Sequence, residues 1–276
     1  MSASQGLRLA VSTLSVFPAH VSGFDRRTAG AAMAFAPLVG VLLGGIAAMV
    51  LAGAQWAAGP GPLACVLAVG ALAVLTRGLH LDGLADLADG FGSARPADAA
   101  LEIMRRSDIG PFGVATLILT ILLQVTALAG LGGDAPLALA AACVTGRLAL
   151  TWACREGVPP ARPQGLGAAV AGTVGRGTAL AVTAAVLTAA ALAGLIGLTT
   201  PGAPGGQSAA DGQLPLALGG VGQVAVLPLA VLAGLGAAWW LRRRAVRRLG
   251  GVTGDVLGAL VETATTAALV TCAVLL

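Results

Sequence analysis

The sequence predicts an all-α, polytopic membrane bundle of about seven transmembrane helices, and three observations lead there. Of the chain's 276 residues, 57% are hydrophobic and only 10% are charged, whereas an average soluble domain has roughly a quarter charged residues. Several apolar runs reach the roughly 20 residues that a helix needs to cross a bilayer. The arginines also fall in alternate connections between those runs, and the intervening connections carry none. A soluble bundle would need polar faces at helical spacing, and a stretch such as 178–200 has none.

The seven runs lie at about 31–54, 60–79, 112–131, 135–154, 178–200, 214–241 and 256–276. A further stretch at 7–18 is apolar but too short to cross, and reads as an interfacial or re-entrant element. Between the fifth and sixth runs, "TTPGAPGGQSAADGQ" is a Pro/Gly/Ser loop with no regular structure implied. Segments 1–30, 80–111, 155–177 and 242–255 hold every arginine except Arg77 and Arg147, which fall within runs. The connections "QWAAGPGP", "GLGGDAP" and the Pro/Gly/Ser loop hold none. Basic residues concentrate in cytoplasmic loops, so the pattern predicts a cytoplasmic N-terminus and, with seven spans, an external C-terminus. The net charge of +4 comes from these loops, which points to membrane orientation and not to nucleic acid. A single membrane-embedded domain over 1–276 is expected, without internal repeats.

Cys65, Cys143, Cys154 and Cys272 sit inside apolar runs at unrelated spacings and read as small hydrophobes, neither disulfides nor a zinc motif. The N-terminus lacks a basic region followed directly by a short apolar segment and a cleavage site, so no cleaved signal peptide is expected.

Against this background "LTRGLHLDGLADLADGFGSAR" (75–95) is anomalous, with three aspartates and a histidine within ten residues. On a helix Asp82, Asp86 and Asp89 are spaced i, i+4, i+7 and fall within an arc of about 60°. Carboxylates on one stripe repel unless a cation neutralises them, and such oxygen donors suit Mg²⁺ or Mn²⁺, hard ions that keep water and phosphate in their remaining positions. The plainer reading is an acidic helix end bathed in water. Gly83 and Gly90 leave space beside the stripe for a phosphate to approach the backbone. His80 lies about 160° from Asp82 and is either a general base or an interfacial histidine without chemistry.

Downstream, "ALEIMRRSDIGPFG" contributes Glu102, Arg105, Arg106, Ser107 and Asp108. Glu102 and Arg106 form an i, i+4 pair suited to a surface helix, while Arg105 and Arg106 equally suit diphosphate oxygens. Arg147 is costly in lipid and should face the bundle interior or a polar cavity, as a partner for a carboxylate or for substrate. Near the C-terminus, "RRRAVRRLGGVTGDVLGALVE" places five arginines at the end of the sixth run, a cytoplasmic anchor suited to anionic lipid. "GGVTGD" then reads as a Gly-rich turn whose Gly254 and following amides suit an anion, or as a hinge before a capped helix. Asp255 and Glu262, seven residues apart, share a helix face.

Taken in order, "PLVGVLLG" (37–44), "GLHLDGLADLADG" (78–90), "ALEIMRRSDIG" (100–110), "GLG" (165–167) and "GGVTGDVLGA" (250–259) resemble the cobalamin-5′-phosphate synthase family, the adenosylcobinamide-GDP ribazoletransferases. The resemblance spans nearly the whole chain, and its His-x-Asp-Gly-x-x-Asp-x-x-Asp-Gly core is intact. Two stretches depart from the family pattern: the order Arg106, Ser107, Asp108, and "STLSVFPAH" near the N-terminus. The resemblance implies an integral membrane enzyme of late vitamin B12 assembly, dependent on Mg²⁺ and sited in the plasma membrane of a bacterial-type cell. It would join adenosylcobinamide-GDP to α-ribazole or its 5′-phosphate and release GMP, with its active site on the cytoplasmic side.

Combining resemblance and residue chemistry, the expected catalytic residues are His80, Asp82 and Asp86, and the expected metal ligands are Asp82, Asp86 and Asp89. Substrate contacts are expected from Gly83, Gly90, Glu102, Arg105, Arg106, Ser107, Asp108, Arg147, Gly254, Asp255 and Glu262. Two rivals differ in class. A CDP-alcohol phosphotransferase expects a D-G-x-x-A-R signature, and Asp86 and Leu87 stand where its alanine and arginine would be. A cation- or proton-coupled transporter expects its acids near mid-membrane, whereas these fall at a span's cytoplasmic end.

Overall fold

The computed structural model describes residues 3–21, 25–199 and 220–276, and within them the chain is helical with two isolated β-bridges and no strand. Most of the Pro/Gly/Ser loop and the start of the sixth expected span lie outside the described residues.

The first helix, α1 (Ala3–Leu14), buries Gly6, Ala10 and Leu14, an i, i+4, i+8 stripe. It packs along the start of α2 (Arg26–Ala58) and, at 12 residues, is too short to cross. Asp25 caps α2 by accepting the Thr28 N–H at 2.7 Å, which satisfies one of the amides that a helix start leaves unpaired. At 33 residues α2 is about 50 Å long by its rise, well beyond the bilayer core. Gly40 and Gly44 let α2 meet α7 (Ala135–Ala153) backbone to backbone. A Cβ at those positions would stand 2.7 Å from Val144 Cα and 2.9 Å from Ala140 Cα. Small residues four apart allow such approach where no water is available to drive association.

The second expected span is broken. A 14-residue α3 (Pro62–Leu75) packs on α2 and α6 (Pro111–Gly130), then the chain turns by 89° into α4 (Leu79–Gly92). Arg77 and Gly78, at φ of 55° and 68°, make the turn, and a glycine at the second position removes the Cβ clash of the left-handed region. The expectation that Arg77 lies within a span is thereby corrected: it is exposed at the break. At 14 residues α3 is too short to cross alone, so the bent pair α3–α4 makes either one broken span or a re-entrant element. Among the described residues six helices are long and apolar enough to cross a membrane, and seven if α3 and α4 count as one bent span.

A short α5 (Ala97–Ile103) precedes α6, and α8 (Leu166–Val170) lies in the connection from α7 to α9 (Arg176–Thr199). The last two helices are α10 (Gly220–Leu249) and α11 (Gly254–Leu275). The sixth span was expected to end near 241; instead α10 stays helical through all five arginines of 242–248. Arginine is a good helix former, so the helix outlasts the apolar stretch. Cores of Ala, Leu and Val lie between the helices, and the four cysteines are free and buried. Leu63, Leu119, Leu180 and Ile196 face outward, each about 60% exposed, the pattern of a surface solvated by lipid.

The arginine-bearing connections meet at one end. The Val16 N–H donates to the Leu75 carbonyl, Arg26 donates to the carbonyls of Ala168 and Ala171, and the 155–175 connection bridges to Val252. At the other end Gln55 donates to the Gly132 carbonyl at 3.3 Å. With Cys65, Cys143, Cys154 and Cys272 replaced by alanine, Ser93→Cys and Gly61→Cys are expected to react with an impermeant maleimide from opposite faces of the membrane. Labelling of both from one face would show that the bent pair does not cross.

Candidate active site

The site forms where α4 crosses α11. Both helices present a glycine there: a Cβ on Gly83 would stand 2.7 Å from the Asp255 carbonyl oxygen, and one on Gly258 would stand 3.2 Å from His80 Cα. The space beside Gly83 is therefore filled by the backbone of Asp255, and that beside Gly90 by Met104, whose Cγ would be 2.7 Å from a Cβ. The sequence reading had reserved these spaces for phosphate. They admit other parts of the chain instead, and the two glycines serve helix packing.

The crossing opens into a cavity of about 300 Å³ walled by α1, α2, α4, the α7–α9 connection and the start of α11. His80, Asp82, Arg162, Thr253, Gly254 and Asp255 all line it. Although His80 and Asp82 point well apart on the helical wheel, both reach the cavity because it wraps around the first turn of α4. His80 is 2% exposed, and neither ring nitrogen has a hydrogen-bond partner within the chain. Burial and then the charge of Arg147 hold its imidazole well below the ordinary histidine range, in the neutral form.

The aspartate stripe is split between two neighbours. Asp89 turns to α6: its carboxylate accepts the Gly110 N–H at 2.7 Å and the Gly113 N–H at 2.9 Å. Those are amides at a helix start, where a carboxylate is favoured by both hydrogen bonding and the helix dipole. Asp86 instead feels Asp82, Asp255 and Asp89. Burial, then these like charges in that order, push its carboxyl up to about 7, with Arg162 acting in the opposite direction.

Asp255 accepts a 3.2 Å hydrogen bond from the Thr253 hydroxyl, which also caps α11 by accepting the Val256 N–H. Among the described residues no three His, Cys, Asp or Glu side chains converge tightly enough to enclose an ion unaided. The set Asp82, Asp86 and Asp255 nevertheless fits a hard cation by its chemistry. All its donors are oxygens, their charges are mutually repulsive, and the cavity beside them leaves positions for water or phosphate.

Other expected site residues lie elsewhere. Glu102, Arg105, Arg106, Ser107 and Asp108 are exposed on α5 and the connection to α6, and none lines the cavity. The expected Glu102–Arg106 pair does not form, because α5 ends at Ile103; Glu102 pairs instead with Arg105 at 4.0 Å. Arg147 is buried and Glu262 half-buried between helices, neither lining the cavity, and Glu262 accepts from the Gln124 amide at 2.9 Å. Arg147 thus faces the interior, as its cost in lipid requires.

Arg162 is the residue that sequence reasoning missed. It donates to the Leu101 carbonyl and acts electrostatically on Asp86 and Asp255. Its connection is pinned to the α11 cap by two backbone bonds, Ala161 N–H to the Val252 carbonyl and Val252 N–H to the Pro159 carbonyl, both 3.0 Å. Its only signal was proximity to "GLG" at 165–167, within an arginine-bearing segment.

Residues 6–273 match the family model described as cobalamin-5-phosphate synthase. The chain belongs to that family. A protein from Frankia casuarinae, named adenosylcobinamide-GDP ribazoletransferase, is 46% identical over 92% of this chain and 89% of its own. Proteins of the same name from a Nocardioides species and from Bradyrhizobium diazoefficiens are 39% and 36% identical, over 95% and 93% of this chain and 95% and 88% of theirs. No solved structure matches. The chain is thus an enzyme of a cobalamin-synthesis transferase family, built as a helical membrane protein.

The split stripe makes a distinguishing prediction. Asp89→Asn is expected to lower the thermal unfolding midpoint in detergent, because asparagine cannot accept from both amides and the loss costs about 2 kcal/mol. Asp82→Asn, exposed and without such bonds, should keep the midpoint or raise it, because it removes a like charge beside Asp86 and Asp255. Equal midpoints for the two variants would show that Asp89 does not anchor α6.

Proposed function

We propose that the protein transfers the phosphate-bearing adenosylcobinamide group of adenosylcobinamide-GDP to α-ribazole or its 5′-phosphate, releasing GMP. The observation that carries this reading is the cavity at the arginine-bearing end of the bundle. There carboxylates from α4 and α11 face Arg162 beside the first amides of α11, in a chain whose relatives bear that activity in their names.

In the proposed reaction a ribose hydroxyl attacks the phosphorus attached to the cobinamide side chain. The bond to the bridging oxygen breaks, and GMP leaves with that oxygen. Transfers of this kind depend mainly on positioning and charge neutralisation. Mg²⁺, or Mn²⁺ in its place, would be held by Asp82, Asp86 and Asp255 and would neutralise the diphosphate. Asp89, the third expected ligand, has both oxygens committed to α6 and holds α4 in place.

Arg162 would grip a phosphate oxygen through its guanidinium, and the Gly254 and Asp255 amides would contribute the positive end of α11. His80, neutral and with both nitrogens unpartnered against the cavity, would accept the hydroxyl proton. Siting at the arginine-bearing end supports a cytoplasmic active site in a bacterial-type plasma membrane, within reach of soluble substrates. Acids at a helix crossing near one end of the bundle also disfavour a transporter, which needs them near mid-membrane.

The reaction itself is the test. Purified protein in liposomes, given adenosylcobinamide-GDP, α-ribazole 5′-phosphate and Mg²⁺, should release GMP in step with a new cobamide, and EDTA should stop it. Arg162→Lys keeps the charge but loses the planar fork, and is expected to lower kcat/KM by roughly tenfold to a hundredfold. Consumption of a CDP-alcohol instead, or ion movement without nucleotide release, would overturn the assignment.

A further inference from the structure

A second cavity of about 300 Å³ lies among α7, α9, α10 and α11, apart from the site already described. Trp152, Thr183, Leu232, Leu235, Gly236 and Trp239 are among the residues that line it, with Arg242 as its one charged side chain. It is open to the outside of the bundle, for Leu232 and Trp239 are each 50% exposed. Gly236 is exposed and a Cβ on it would meet nothing within 4 Å, so the wall of the groove has open space at this point.

The polar end of the groove is unbalanced. Arg242 is only 7% exposed and donates to the Trp152 carbonyl at 3.3 Å. The charges that act on it are those of other cations, Arg155 and Arg243. The buried Nε of Arg155 has no hydrogen-bond partner. Among the described residues the only ion pair is Arg105–Glu102, so no carboxylate oxygen lies within 4.0 Å of these three guanidinium groups, and Arg155 donates only to the Glu156 carbonyl, at 3.3 Å. Arg243 stacks on Trp239 at 4.7 Å, and Trp240 beside it is 55% exposed. Tryptophans and arginines at the end of a long apolar helix mark the headgroup level of a bilayer.

From this juxtaposition of an apolar groove open to lipid with three unpaired arginines at its headgroup end, we propose a binding site for one anionic phospholipid. An acyl chain lies in the groove between α9 and α10, and the phosphate is held by Arg155, Arg242 and Arg243. Charge complementarity selects an anionic lipid over a zwitterionic one, whose ammonium would face the same arginines. The apolar lining of the groove beside Arg242 selects a lipid over a free anion.

Native mass spectrometry of the full chain in detergent, with equal amounts of dioleoyl-phosphatidylglycerol and dioleoyl-phosphatidylcholine, tests the site. One phosphatidylglycerol should be retained over phosphatidylcholine by roughly tenfold or more, the preference expected of two or three arginines at one headgroup. The double variant Arg155→Gln/Arg242→Gln should abolish the preference. Gly236→Leu fills the groove and leaves the arginines in place, so it reports even if the double variant does not fold; it should lower retention of phosphatidylglycerol by a similar factor. Equal retention of the two lipids, unchanged retention by Gly236→Leu, or displacement of the lipid by millimolar inorganic phosphate would each overturn the proposal.

Discussion

The contact between α4 and α11 is the constraint from which the site follows. Two helices approach closely only where neither carries a side chain, and here Gly83 meets the backbone of Asp255 while Gly258 meets that of His80. The approach puts Asp82 and Asp86 opposite Asp255, a repulsive arrangement that no isolated pair of helices would choose. It persists because both ends of α4 are held. The turn at Arg77 and Gly78 fixes the start, and near the far end Asp89 ties into the first amides of α6 while Arg244 reaches over the Phe91 ring at 5.6 Å.

The polar groups between the helices obey a different rule. Gln124 donates to Glu262 at 2.9 Å and to the Thr266 hydroxyl at 3.0 Å, which joins α6 to α11 within the bundle. Side-chain bonds between helices hold membrane bundles together where apolar packing gives little net drive. Arg147 and Glu262 belong to this interior and act on the site only through it, since Arg147 contributes to keeping His80 neutral.

What was legible in the sequence was what composition and periodicity control. Within the described residues apolar runs located the helices to within a few residues, except at the second run, which breaks at Arg77, and where hydropathy and helicity part company, as in the arginine run of α10. The alternation of arginines anticipated that their connections meet at one end, and moving Arg77 from a span to a break improves that pattern. Periodicity put Asp82, Asp86 and Asp89 on one stripe, which the helix respects. It could not say which neighbour each aspartate meets, because that depends on whether α6 or α11 lies alongside. The roles of Gly83 and Gly90 were misread for the same reason: a glycine leaves room, and only tertiary structure says what fills it. Arg162 was illegible because it reaches the carboxylates through a connection pinned to a turn some 90 residues further on.

These observations also explain why Arg162 matters more to the site than the pair that looked suited to diphosphate. Arg105 and Arg106 are exposed, so water and salt screen their charge, and the one pair that Arg105 makes is between side chains 65% and 69% exposed. Arg162 is half-buried at the cavity wall, where a charge acts at lower effective dielectric and is felt by both Asp86 and Asp255. One guanidinium against three carboxylates leaves the cavity net negative. An anionic diphosphate entering such a site needs further positive charge, and the proposed Mg²⁺ and the first amides of α11 are the two sources that the donor set and the fold make available.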